Sequence, residues 1–503
     1  MAINRMDRTG LAPVRGRLME EALDISLFID NRDVAAGSGR TFERVGPLGG
    51  GATRAAAADP ADALAAADAA SRAFPGWAAQ GPNARRRLLL AAADIMETRA
   101  QAFTAAMATE TGASAGWAGF NVQLAASMLR EAAALTTMVR GETIPSDRPG
   151  CQAMTVRRPA GVVLGIAPWN APVILAVRAV ATPIACGNTV VLKASEQCPA
   201  THRLIGDVFR DAGFPAGVVN IVTNAPEDAG EVVEALVRHR AVRRINFTGS
   251  TRVGRIIAGL AAQQLKPCLL ELGGKAPMVV LDDADLDAAI AAAGFGAFMN
   301  SGQICMSTER IVVHAAVFDT FVEKLRHRVE ALRAGDPRGA PAPLGSVIDA
   351  SAAARMRALV EDALARGATA LGGFGDDGTL LSALALVGVT PEMAIYAEES
   401  FGPVTTVIRA ADDDEAVRIA NDTEYGLTSA VFSQNIARAL SVADRIEAGM
   451  VHINGATVHD EAQMPFGGTK ASGYGRFGGE AGIAEFTELK WITIDTGTPH
   501  WPI

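Results

Sequence analysis

The sequence predicts an α/β chain built from two parallel-sheet domains with a small β extension, and three observations predict it. First, between residues 161 and 272 five short apolar runs alternate with helical stretches: Val162 to Ala167, Thr189 to Leu192, Val218 to Val222, Ile245 to Thr248 and Cys268 to Leu272. Runs without polar alternation, separated by helices, are what strands covered on both faces of a parallel sheet look like. Second, from Ala284 a new alternation of helices and strands begins and continues to about Ala456. Third, two detached stretches, Gln152 to Val156 and Phe486 to Ile494, alternate polar and apolar residues as half-exposed strands do.

Composition bounds the rest. A chain of 503 residues is too long for one core, and length alone suggests about two to four domains. Apolar residues make up 49% and charged residues 20%, enough for sizeable cores. The net charge of -9 and pI near 5.4 exclude a partner that rewards a basic face, so neither nucleic acid nor an anionic membrane is expected. Cys151, Cys186, Cys198, Cys268 and Cys305 form no C-x-x-C pair, which argues against a disulfide framework and against a metal centre. A reducing, cytoplasmic setting follows from the same observation.

Residues 1–20 carry Arg5, Arg8, Arg15 and Arg17 with Asp7, Glu20 and no continuous apolar run, and read as a flexible tail. Elsewhere Gly, Pro or charge interrupts every apolar stretch before it reaches membrane-spanning length. Leu27–Ile29 and Thr41–Val45 read as short strands around the turn residues Asn31, Arg32 and Asp33. Asp59 and Pro60 then open a helix as N-cap and first-turn proline, running to Ala73. Further helices are expected over 82–111 and 118–139. In the second half a helix to Met299, a strand over 310–313 and a helix over 318–332 are expected. The divisions are 21–139 with 160–270 for the first domain, 271–475 for the second, and 140–159 with 484–503 for the extension. Extension strands leave edges that pair either within one subunit or with another copy of the chain. The second choice makes a homodimer or a dimer of dimers.

The chemistry-bearing residues cluster at the carboxyl ends of the first five strands, where open α/β sheets bind ligands. Those ends carry Pro168-Trp169-Asn170, Lys193-Ala194-Ser195-Glu196, Gly249-Ser250 and Glu271. Two G-x-G-x-x-G matches, at Gly373 and at Gly473, do not lie between a strand and a helix and are set aside as cofactor loops. The stretch Phe247 to Gly254 follows a strand and opens a helix whose amides suit a pyrophosphate. In the second half Cys305 stands between an apolar run and a polar exit. Its thiol is either a nucleophile or a small buried hydrophobe.

Five motifs together carry a resemblance: Phe247-Thr248-Gly249-Ser250, Leu270-Glu271-Leu272-Gly273-Gly274-Lys275, Gly302-Gln303-Ile304-Cys305, Glu398-Glu399-Ser400-Phe401-Gly402-Pro403 and Pro465-Phe466-Gly467-Gly468. In order and near spacing they resemble the aldehyde dehydrogenase superfamily, from about Leu27 to Trp491. The resemblance implies Rossmann-like domains, the first for the cofactor and the second catalytic. It implies that Cys305 attacks the aldehyde carbon to give a thiohemiacetal. Asn170, with the cysteine backbone N–H, then holds the oxyanion. Hydride leaves for the nicotinamide, and Glu271 activates the water that hydrolyses the thioester. From the residues alone, Asn170 also reads as a helix N-cap and Glu271 as a salt-bridge partner.

The resemblance further implies that Lys193 and Glu196 grip the adenosine ribose. A carboxylate there repels a 2′-phosphate, which favours NAD over NADP. Glu399 and Phe401 would position the nicotinamide end, with Ser400 departing from a bulkier residue common in the family. Ile166, Pro168, Trp169, Ser195, Gly230, Phe247, Thr248, Gly249, Ser250, Gly254, Leu272 and Gly273 complete the expected cofactor contacts. Family members that acylate coenzyme A generally lack the glutamate, so water is the expected acceptor.

A wider set of stretches, among them Trp117 to Asn121, Arg244 to Phe247 and Val451 to Gly455, is similar to the salicylaldehyde and vanillin dehydrogenase branch, implying an aromatic aldehyde. Aliphatic aldehydes or semialdehydes are the alternative. Ala171 stands where many members carry a large aromatic and would widen the passage to Cys305. Arg157 and Arg178 are candidates to meet a ring hydroxyl or carboxylate, with Arg178 alternatively supporting the cofactor pocket. Trp117 and Phe120 either line the entrance or belong to the core. Ile304, Met306 and His459 complete the expected substrate contacts. Two other classes stay open: a thiol hydrolase, which needs one of the seven histidines beside Cys305, and a non-catalytic relative.

Overall fold

The computed structural model describes residues 23–339, 342–375, 377–497 and 501, so the tail expected over 1–20 lies outside the described residues. Two large sheets and a small one carry the architecture. The first places its parallel strands side by side in the order Cys268–Glu271, Val242–Thr248, Val162–Ile166, Thr189–Lys193, Val219–Val222. Its central strand, Val162–Ile166, is the first of the five in the chain and is flanked by the second and the fourth, so the strand order reverses beside it, the switch point at which such sheets bind ligands. Antiparallel additions close both edges: Gly473–Tyr474 beside Cys268–Glu271, and Leu27–Ile29 with Arg32–Val34 beside Val219–Val222.

Helices cover both faces because every residue of Val162–Ile166 and Thr189–Lys193 is buried and each face needs an apolar partner. One apolar layer joins Pro172–Ala185, buried along its whole length, to Pro199–Asp211 and to the helices Pro82–Thr98, Ala100–Thr111 and Ala115–Leu135 behind them. The opposite layer is built from Pro60–Ala78, Ala229–Arg238 and Thr251–Gln263.

Local chemistry sets the helix ends. Asp59 accepts from the Ala61 and Asp62 N–H groups at 2.8 and 3.0 Å, and Asp62 accepts from the Asp59 N–H at 3.2 Å. This reciprocal cap satisfies donors left open at the helix start. The helix runs past the expected Ala73, through Pro75, to Ala78. The single helix expected over 82–111 is two, broken at Arg99, whose ψ of 10° leaves the helical range. No glycine or proline marks that break.

The second sheet has the order Thr369–Gly372, Leu384–Val387, Val404–Ala410, Thr308–His314, Ala276–Val280, Thr428–Phe432, Met450–Ile453. All its neighbours are parallel except the first pair. In the third sheet Thr487–Asp495 runs antiparallel along Cys151–Pro159, which also pairs with Thr143–Ile144. Arg157 belongs to this sheet: it stands opposite Leu489 and donates to Thr487 Oγ1 at 3.1 Å. The G-x-G-x-x-G match at Gly473 is the antiparallel edge strand beside Glu271, not a phosphate loop. Among the described residues, no helix is long and apolar enough to cross a membrane.

Candidate active site

Cys305 is presented by a tight turn, closed by the Ser307 N–H donating to the Ile304 carbonyl at 2.9 Å. The chain reaches that turn through Asn300, Ser301 and Gly302, all with positive φ. A side chain at Gly302 would place its Cβ 1.9 Å from the Gly402 carbonyl oxygen, so only glycine lets the turn pack there. Across the domain junction, a Cβ on Gly274 would lie 2.2 Å from the Cys305 carbonyl oxygen. The Glu-Leu-Gly-Gly motif thus lets the end of the first sheet touch the backbone of the nucleophile turn.

Asn170 and Glu271 face the same point. The Asn170 Nδ2 donates to the Gln303 carbonyl at 3.1 Å, which leaves its second N–H for another acceptor. Its own carbonyl accepts from Trp117 Nε1 at 2.9 Å and from Asn300 Nδ2 at 3.0 Å, so the residue is held from both sides. Glu271 ends a buried strand, and neither carboxyl oxygen has a hydrogen-bond partner among the described residues. Burial pushes its carboxyl up to about 7, against the opposing influence of Cys305 and Arg178. Burial, then the nearby Glu271 charge, also pushes the Cys305 thiol well above its ordinary range. A thiol in that state needs a base to take its proton, and Glu271 is titrating near neutrality beside it.

Two cavities meet at Cys305 and Asn170. One, of about 310 Å³, is walled by Trp117, Phe120, Ala171, Ile174, Leu175, Phe295, Met299, Ile304, Met306, Val458 and Phe466, with Arg178, His459 and Asp460 as its charged or titratable groups beyond Cys305. The other, of about 280 Å³, is lined by Pro168, Trp169, Thr248, Gly249, Ser250, Glu271, Leu272, Gly273, Arg355, Glu399 and Phe401. Phe401 stands edge-on to Trp169 at 5.7 Å, with its backbone at φ +50°.

A buried charge cluster fixes the loop that carries Glu399 and Phe401. Lys275 Nζ donates to Glu309 Oε2 and to the Glu398 carbonyl, each at 2.6 Å. Glu309 also accepts from the Ser400 and Phe401 N–H groups and, at 2.8 Å, from the Ser400 hydroxyl. The Ser400 hydroxyl thus serves this carboxylate. Glu399 accepts from the Gly274 N–H at 2.9 Å, and burial raises its carboxyl to about 8.

The remaining cofactor expectations lie along the same sheet edge. Lys193, beside Ile166 in the register, donates to Glu196 at 3.0 Å. The turn after that strand is held by the Ser195 N–H donating to His202 Nδ1 at 3.0 Å. Burial drives His202 down to about 3, so its ring is neutral. Ser250 caps the helix Thr251–Gln263, and Gly254 packs against Leu272 so closely that a Cβ would lie 2.5 Å from Leu272 Cδ2. A Cβ on Gly249 would lie 2.4 Å from Phe247 Cζ, so the backbone stays bare where the helix begins. Bare backbone at a helix N-terminus, a Lys–Glu pair two strands along the same sheet edge and a cavity walled by Trp169 and Phe401 beside that N-terminus fit a dinucleotide. Gly230 stands apart, at the start of Ala229–Arg238, with open space around its Cβ position.

Of the residues expected at the substrate, Trp117, Phe120, Ala171, Arg178, Ile304, Met306 and His459 line the first cavity and Arg157 lines neither. The alternatives for Trp117 and Phe120 merge: Trp117 is buried and stacks at 5.6 Å on Phe120, which is exposed at the rim. Sequence reasoning missed Arg355, Asp460 and most of the apolar wall. Phe466 had a signal, since it sits in the Pro-Phe-Gly-Gly motif. Ile174, Leu175, Phe295 and Met299 had none beyond being apolar on helices or just past one.

A thiol at the seam of two α/β domains, with an apolar cavity on one side and a cavity lined by strand-end residues on the other, is the arrangement of a two-domain cysteine-dependent oxidoreductase. Residues 34–492 match the model of the aldehyde dehydrogenase family, and the chain belongs to that family. It is 60% identical over 480 residues to a vanillin dehydrogenase of Pseudomonas sp. strain HR199, covering 95% of this chain and 99% of that one. Against a salicylaldehyde dehydrogenase of Pseudomonas putida it is 51% identical over 478 residues, with 95% and 99% covered. The crystal structure of a salicylaldehyde dehydrogenase from Pseudomonas putida G7 complexed with salicylaldehyde superposes with a TM-score of 0.94 at 50% identity, over 96% of this chain and 100% of that one. Enzymes of this family use a nicotinamide dinucleotide.

Proposed function

We propose that this chain oxidises an aromatic aldehyde to its carboxylic acid, with NAD as the preferred cofactor and water as the acyl acceptor. The observation that carries the reading is the junction of the two cavities at Cys305, one walled by Trp117, Phe120, Phe295 and Phe466 and the other by the strand-end residues. The vanillin and salicylaldehyde dehydrogenases to which the chain is similar support an aromatic substrate over an aliphatic one.

In this reading the Cys305 thiol passes its proton to Glu271 and attacks the carbonyl carbon of an aldehyde held in the apolar cavity. The second Asn170 N–H meets the oxygen as it becomes negative, at a site fixed before the substrate arrives. A bound nicotinamide supplies the hydride acceptor, held by Trp169, Glu399 and Phe401, with Lys193 and Glu196 on the adenosine ribose and the start of Thr251–Gln263 on the pyrophosphate. Glu271, once it has released that proton to solvent, takes a proton from the water that cleaves the thioester. Burial that keeps its carboxyl near neutrality also keeps competing water away from the nucleophile.

Glu196 supports NAD over NADP, because a carboxylate paired to Lys193 at 3.0 Å leaves no free cation for a 2′-phosphate. The three sheets support a division into a cofactor domain (21–139 with 160–270), a catalytic domain (271–475) and an extension (140–159 with 484–503). That extension exposes Leu489, Trp491 and Ile494 on its outer strand, which supports pairing with another copy of the chain, as a homodimer or dimer of dimers. Five unpaired cysteines support a reducing, cytoplasmic setting. Steady-state rates for NAD and NADP across aliphatic, semialdehyde and aromatic aldehydes test the reading. Turnover concentrated on benzaldehyde-type compounds with NAD is expected; a preference for aliphatic substrates contradicts it.

A further inference from the structure

We infer that Asp460 is a specificity-determining residue that accepts a hydrogen bond from a hydroxyl group on the substrate ring, making hydroxylated aromatic aldehydes the preferred substrates. The inference rests on the aromatic-aldehyde reading and deepens it. Asp460 is the one carboxylate among the described residues lining the apolar cavity that ends on Cys305. One of its oxygens, Oδ2, accepts from Arg178 Nη2. The other, Oδ1, is shut off from solvent and has no hydrogen-bond partner among the described residues. Burial raises the Asp460 carboxyl above its ordinary range against the opposing charge of Arg178, and a carboxyl oxygen left buried and unmatched is costly. A cavity wall is where a ligand can remove that cost.

The chemistry of the missing partner follows from the neighbours. Arg178 is pinned, its guanidinium lying 4.1 Å over the Phe466 ring, with both it and Asp460 only 5% and 6% exposed. Its charge is already met by Asp460, so this part of the cavity presents a spare acceptor rather than a spare cation. The other charged or titratable groups acting on Asp460 are His459 and Glu461, which bond each other at 2.8 Å, and the carboxyl of Glu271 at the far end of the site. A substrate carboxylate would meet Asp460 as a like charge, and a methoxy group would bring no proton. A neutral phenolic O–H fits, since it donates one hydrogen bond and carries no charge to be desolvated. Sites built to bond a hydroxyl reject the analogue lacking it far more strongly than apolar pockets reject a change of size.

The test compares hydroxybenzaldehydes with methoxybenzaldehydes substituted at the same ring position. For the wild-type enzyme kcat/KM is expected to favour the hydroxyl at one ring position by about tenfold or more. Asp460→Asn keeps a carbonyl for Arg178 and turns an N–H toward the cavity, and should erase or reverse that ratio. An equal fall for every aldehyde, hydroxylated or not, would show Asp460 to be structural support alone and overturn the inference. A second readout needs no change at Asp460. In the Cys305→Ala variant, the ultraviolet spectrum of a bound hydroxybenzaldehyde should be that of the neutral phenol at a pH where the free compound is phenolate. A bound phenolate would assign the ring oxygen to Arg178 and overturn the inference. Wild-type oxidation of all benzaldehydes with no preference for hydroxyl sinks this inference while the aromatic reading stands, whereas oxidation of aliphatic aldehydes alone sinks both.

Discussion

The Asn170 side-chain amide and the Gln303 carbonyl are joined by a hydrogen bond of 3.1 Å, and Gln303 sits in the loop that delivers Cys305. The oxyanion donor and the nucleophile are thereby fixed to each other across the domain seam. Pre-set donors of this kind account for about 10²–10³ in turnover when removed singly. Asn170→Ala should therefore lower kcat by about that factor with KM changed much less, as steady-state kinetics would read. A fall confined to KM would place Asn170 in ground-state binding instead.

Glu271 sets the pH dependence. Its folded carboxyl is raised by burial to about 7, so below that value it is protonated and cannot act as a base. Acyl-enzyme hydrolysis should rise with pH through about 7 and level off above it, in pre-steady-state measurements. The stability sign is the reverse. A carboxyl with a raised folded value costs nothing below its unfolded value, and its cost grows as pH climbs to about 7. Glu271→Gln should remove the pH limb and slow both thiol attack and thioester hydrolysis; turnover and a pH profile equal to those of the wild type contradict the assignment.

Cofactor choice turns on Glu196, whose carboxylate is paired with Lys193 at the strand end. Glu196→Ala should raise kcat/KM for NADP relative to NAD by freeing that lysine for a phosphate. An unchanged ratio would put the ribose contact elsewhere.

The buried pair of Lys275 and Glu309 offers a stability comparison. Ser400→Ala removes one hydroxyl bond to a buried carboxylate and should cost about 1–3 kcal/mol. Lys275→Met leaves Glu309 without its countercharge and should cost more, about 3–5 kcal/mol. Denaturant unfolding of both variants reads the order. Equal or reversed effects would mean that the backbone donors of Ser400 and Phe401 satisfy Glu309 by themselves.

What the sequence revealed and what it hid follow from range. The five strand positions of the first sheet were legible because burial on both faces writes itself into a continuous apolar run. Cys305, Glu271 and Asn170 were legible because short motifs surround each. The break at Arg99 was not, since no proline or glycine marks it and tertiary packing of Phe103 and Met107 decides the helix direction. Arg157 was misplaced because its position depends on pairing with a strand 330 residues away, and a strand register of that range leaves no local trace. Asp460 was missed for the same reason: its significance lies in Arg178, 282 residues distant, and in an oxygen left without a partner.

The most direct test is the Cys305→Ala variant, assayed for reduced-nicotinamide absorbance with NAD and a benzaldehyde-type substrate beside a measurement of NAD binding. The expected result is complete loss of oxidation with NAD affinity retained. Turnover comparable to wild type in that variant would contradict the assignment of the thiol as the group on which both cavities converge.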